Sequence, residues 1–117
     1  MNDKDKAILE KIYEHINHVL EYCDDCDDLE DFESDTMRVE ATVFNFLQIG
    51  EIAKAKLSDE AKEEMADIPW HMIYGMRNRI VHGYDGVDMS IVWDTIQEDF
   101  PGLKDKIERY LIESSDI

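Results

Sequence analysis

Ile8, Leu9, Ile12, Tyr13, Ile16, Val19, Leu20 and Cys23 recur at three- and four-residue intervals, which predicts an amphipathic helix from about Asp3 to Tyr22. A second helix is predicted from Ser34 or Asp35, with Met37, Ala41, Phe44, Leu47, Ile52 and Leu57 as its apolar positions. Its middle, Ala41 to Gly50, holds no charge, so it reads as the central and most buried helix. Ser58, followed by Asp59 and Glu60, suits the N-cap of a short helix, because early acids favour the positive end of the helix dipole. Pro69 suits the first turn of a third principal helix and Gly83 its C-terminal left-handed position. Asp88 or Ser90 then opens a fourth, with Val92, Ile96, Phe100, Leu103, Ile107 and Leu111 as its stripe. Pro101-Gly102 is expected to kink or interrupt it. No segment alternates with period two and no hairpin turn lies between strand-like runs. The expectation is an all-α, up-down bundle of four principal helices, with a short extra helix and a kinked C-terminal helix, in one domain over 1–117.

At 117 residues the chain is the size of one domain with one core. Its formal charge of −17 excludes a sequence-independent coat for nucleic acid, since affinity for polyphosphate comes largely from Lys and Arg displacing counterions. Nucleic acid has to enter a local cleft. Between Asp24 and Asp35 stand eight acids in twelve residues and no base, a composition whose self-repulsion favours a solvated connector or frayed helix ends. That run lacks the glycine and ligand spacing of a calcium loop. The first residues do not have the order of a secretory signal and no apolar run approaches bilayer length, so a soluble, cytoplasmic chain without a membrane partner is expected.

Cys23 and Cys26 form a C-x-x-C, yet they lie near a helix's negative end among aspartates, where a thiolate is disfavoured. A zinc site with His15 and His18 would need ligands converging at about 2.3 Å from one point. Along one helix, His15 to Cys26 spans roughly 16 Å. Ordinary thiols, no metal and no cofactor are the expectation.

The seventeen residues from Ile68 to Tyr84 contain no acid, whereas the rest of the chain holds all twenty-nine. This stretch carries Arg77, Asn78, Arg79, His82 and Tyr84, with the spacing Arg-x-x-x-x-His-x-Tyr. At 100° per residue Arg77 falls inside an apolar arc with Ile73 and Trp70. A guanidinium there must be paired, with Glu40 or Glu51 as candidates, or open into a cleft. His82, near the helix end, is placed to favour its protonated form, or simply to stabilise that end. Arg77 and His82 stand about 140° apart on a straight helix, so a two-fold dimer that lays this helix against its copy would bring two pairs into one groove. Tyr84 can take part in hydrogen bonding, accept a modification, or pack as a partly buried aromatic.

Gly75-Met76-Arg77-Asn78-Arg79-Ile80-Val81-His82-Gly83-Tyr84 resembles the signature of HEPN-domain proteins of the HepT toxin type. The likeness extends to Ile68-Pro69-Trp70, Gly86-Val87-Asp88, Val92-Trp93, Asp99-Phe100-Pro101 and Ile49-Gly50-Glu51-Ile52-Ala53. It implies a dimerising helical bundle acting as a metal-independent endoribonuclease, with Arg77 and His82 catalytic and Asn78 and Arg79 in support. It implies RNA, such as tRNA, rather than DNA as substrate. It also implies an MntA-like nucleotidyltransferase antitoxin as partner, which adenylylates Tyr84. The alternative is a non-catalytic HEPN module that docks a nucleotidyltransferase or a nucleotide.

Overall fold

The computed structural model describes residues 1–83 and 88–115, with the side chains of His82, Gly83 and Ser115 excepted. Helix α1 spans Asp3–Tyr22, as the apolar spacing predicts, with Asn2 as its N-cap. Its stripe of Leu9, Ile12, Ile16 and Val19 is fully buried. Helix α3 (Thr36–Ala55) is capped by Asp35, α4 (Asp59–Glu64) by Ser58 and α6 (Met89–Asp94) by Asp88, all three residues that the sequence singles out. Helix α5 (Trp70–Gly83) follows Pro69, whose carbonyl accepts the first helical hydrogen bond from Ile73. A short α2 (Leu29–Glu33) and the C-terminal α7 (Phe100–Ser115) complete the described elements, none of which is a strand.

Helix α3 is central, packed against α1, α2 and α5, while α7 closes on α1. Three contacts fix α1 and α3 as antiparallel: Arg38 to the Tyr22 carbonyl, His15 to Asn45, and Ser58, just beyond α3, to Asp5. The expected interruption at Pro101-Gly102 takes the form of a π-helical turn over Thr95–Asp99, not a break. The Phe100 amide donates to the Thr95 carbonyl across this wide turn. The widening accommodates a proline ring that would otherwise collide with the carbonyl four residues back. It also keeps Val92, Ile96 and Phe100 on the buried side.

Two expectations are corrected. The acidic stretch after α1 is not only a solvated connector. It contains α2, whose Phe32 is fully buried and stacks on Trp93 with ring centroids 5.7 Å apart. Burying one phenylalanine is worth about 1.5–3 kcal/mol, enough to offset repulsion among exposed acids. Arg38, the only Lys or Arg between Lys11 and Lys54, binds the turn together. Its guanidinium donates to the carbonyls of Tyr22 and Asp31 and reaches Asp25 at 3.3 Å. The buried face of α3 also differs from the expected stripe. Val43, Phe46, Ile49 and Ala53 point inward, whereas Met37 is 80% exposed and Phe44 56%.

Asp5, buried in the first turn of α1, accepts hydrogen bonds from the Ser58 amide (3.0 Å) and hydroxyl (2.6 Å). The Ser58 hydroxyl holds the Asp5 carboxyl below the usual aspartate range. A folded-state pKa below the unfolded one gives stability that is complete above the unfolded value and is lost as pH falls through the folded value. Asp5→Asn is therefore expected to cost about 1–3 kcal/mol at neutral pH. The gap to the parent should narrow in acid, as read from urea unfolding at both pH values. A gap that stays constant into acid would show that the carboxylate charge is not what matters.

Candidate active site

Arg77 projects from the middle of α5 towards α3, and a glycine there makes the approach possible. A β-carbon on Gly50 would lie 2.8 Å from Arg77 Cγ, closer still to Arg77 Cβ, and 3.4 Å from the Ile73 carbonyl oxygen. Real side chains do not tolerate the two contacts with Arg77, whose crowded atoms are the root of its side chain and cannot swing aside. Gly50 thus sets the spacing at which α3 and α5 cross.

At this spacing Arg77 Nη2 lies 2.8 Å from Glu51 Oε2, and Nη1 donates to Asn78 Oδ1 at 3.0 Å. The pairing expected of either Glu40 or Glu51 is thus made by Glu51. The guanidinium is held from two sides with its plane fixed, but it is not sealed: the Arg77 side chain is 25% exposed and that of Glu51 53%. Such a pair adds little to stability, because water screens it. It does orient a planar donor at the surface, next to the exposed Asn78.

Among the predicted site residues, the structure brings Arg77 and Asn78 together, while the exposed Arg79 stands about 200° round α5 from Arg77. The His82 backbone closes the same helix, while its side chain, and the whole of Tyr84, lie outside the described residues. Glu51 and Gly50 are the site residues that motif reading alone undervalues. Both lie in the Ile49-Gly50-Glu51 stretch, and an uncharged helix that suddenly carries a glycine followed by an acid is the signal for them.

Neither cysteine is poised for thiolate chemistry. Burial, with Cys26 close by, pushes the Cys23 thiol up to about 11, and burial raises Cys26 as well. Among the described residues no three His, Cys, Asp or Glu side chains converge as a metal site. No described helix is long and apolar enough to cross a membrane.

The described elements form an all-helical bundle in which an acid-free helix presents an oriented arginine to the surface. The family model described as ribonuclease HepT-like matches residues 12–110, and the chain belongs to that family. It is 34% identical to a protein of Thermococcus cleftensis named a probable ribonuclease HepT, over 93% of this chain and 97% of the relative. It is 31% identical to a protein of Methanocaldococcus jannaschii provisionally named an RNase, over 92% of this chain and 98% of the relative. A third relative, from Caldanaerobacter subterraneus subsp. tengcongensis and also provisionally named an RNase, is 32% identical over 83% of this chain and 91% of its own length. No solved structure matches the chain.

Proposed function

We propose that the chain is a metal-independent endoribonuclease and the toxin of a two-component system, with Arg77 and His82 as its catalytic residues. The observation that carries this reading is the Arg77 guanidinium, clamped by Glu51 and Asn78 and partly open to water on a HepT-like bundle. RNA brings its own nucleophile, the 2′-OH. The enzyme then has to move that proton, stabilise charge on the phosphoryl oxygens and protonate the leaving 5′-oxygen. Arg77 offers the phosphate two donors in a fixed plane, and the phosphate displaces Glu51 as their partner. His82 serves proton transfer, and the products end in a 2′,3′-cyclic phosphate.

The working unit in this reading is a two-fold dimer. The exposed Phe44 and Met37 lie on the same side of α3 as Glu51. They supply an apolar strip that starts about 10 Å along α3 from Glu51, and a second copy there would set two sites in one groove. The partner is an MntA-like nucleotidyltransferase, which adenylylates Tyr84, two residues beyond His82. The added phosphate would occupy the substrate's place by bulk and charge. Incubation with such an enzyme and ATP is expected to add nucleotide mass at Tyr84 and to stop RNA cleavage. Tyr84→Phe should cleave RNA and stay active under the same treatment. Full activity of protein that carries the adduct would rule out silencing at this tyrosine. A second reading, a non-catalytic module, draws on the Arg77–Glu51 pair itself, since an arginine already neutralised by an acid can be purely structural.

A further inference from the structure

A second line of positions runs along α5 to the helix start, about 120° round from Arg77 and joined to it by the Arg77–Asn78 hydrogen bond. His71, Gly75 and Asn78 follow one another at four- and three-residue steps, and the His82 backbone falls on the same line, four residues further on. His71 and Asn78 are exposed, and a β-carbon on Gly75 would meet nothing within 4 Å. Tyr74 flanks this line. Its ring is met edge-on by His71 at 6.3 Å and overlaid by the Lys62 ammonium at 5.5 Å. Beyond them, between α4 and the first turn of α5, lies a hollow of about 410 Å³ lined by Lys62, Ile68, Pro69, Trp70, His71 and Met72.

We propose that this hollow, with His71 in its wall and Tyr74 packed against His71 and Lys62, is a subsite for an unstacked base of the RNA strand whose scissile phosphate sits at Arg77. The proposal rests on the ribonuclease reading and extends it to the neighbouring nucleotides. The lining is mainly apolar, with the buried Trp70 indole at its back and the exposed His71 imidazole suited to the flat face of a base. Glu63 also lines the hollow and would repel a phosphate. The uncharged base therefore enters, while the backbone stays over Tyr74 and Asn78. His71 precedes Arg77 by six residues, about 9 Å along the axis, which a flanking nucleotide can bridge. On a chain of charge −17, a local track of this kind is what lets a polyanion approach at all.

The test uses the full chain and two probes: a cleavable oligoribonucleotide of mixed sequence, and the same oligomer 2′-O-methylated throughout, which cannot be cut. His71→Ala combined with Tyr74→Ala is expected to raise KM, and to weaken binding of the methylated oligomer, on the order of tenfold. The rate at saturating RNA should be unchanged, and Tyr74→Phe with His71 intact should behave as the parent. His71 is exposed and Tyr74 half-buried, and a thermal melt verifies that each variant is folded. Parent cleavage with KM and binding unmoved in the double variant would remove the subsite and leave the ribonuclease reading intact. A parent that neither cuts nor binds RNA would overturn both.

Discussion

Arg77→Ala is expected to lower RNA cleavage by about 10²–10³-fold while leaving the fold in place, because one preorganised donor to a developing oxyanion is worth that much. The structural alternative predicts the reverse pattern. If the Arg77–Glu51 contact at 2.8 Å only held α5 to α3, its loss would lower the melting temperature and affect activity only in proportion. Both partners are partly open to water, and exposed pairs are worth about 0–1 kcal/mol, so the melting temperature should move by a few degrees at most. Arg77→Lys makes the distinction finer. It keeps the charge and a partner for Glu51 but loses the planar fork, so it should keep the stability and lose most of the activity. Cleavage rates beside thermal melts decide between the two. An active Arg77→Lys would show that charge alone suffices.

Gly50→Ala is expected to lower stability and activity together. In an open helix an alanine gains about 1 kcal/mol over glycine, but here the new methyl would meet the root of Arg77 and the Ile73 carbonyl. Overpacking of this kind costs about 1–3 kcal/mol, and relief requires α5 to lift from α3, carrying Arg77 with it. A shift of about 1 Å at a catalytic group can cost about 10²-fold in rate, so activity should fall with stability. Gly75 supplies the contrast on the same pair of helices, since nothing stands within 4 Å of its missing β-carbon. Gly75→Ala should melt higher than the parent. Chemical unfolding of the two variants checks the pair of signs, and a stable Gly50→Ala would show that the close crossing is not required.

Much of this arrangement is legible in the sequence, and the failures have physical causes. Helix α1 is read to its ends because its apolar stripe faces charged positions all round. Helix α3 is located correctly, and Ile52 and Leu57 are buried as expected, but Met37 and Phe44 face outwards. From Ala41 to Gly50 it has no charged face to oppose the apolar one, and its buried face includes Thr42 and Asn45. Asn45 hides its polarity by bonding to His15 and to the Ala41 carbonyl. Helix α2 escapes a reading based on charge because one residue, Phe32, outweighs its acids by packing on Trp93, a contact sixty-one residues away in sequence. In the candidate site, the anomaly of Arg77 on an apolar arc points correctly to an acid on α3, and Glu51 supplies it. That Gly50 governs the distance is a property of the crossing, which no single helix displays.

Cleavage of a total tRNA pool in EDTA by the unmodified protein, beside His82→Ala purified in the same way, tests the central claim most directly. The account predicts cutting by the parent that leaves cyclic-phosphate ends and disappears in the variant. Equal behaviour of the two, with intact mass showing that Tyr84 carries no adduct, would contradict it and leave the chain as a binding module.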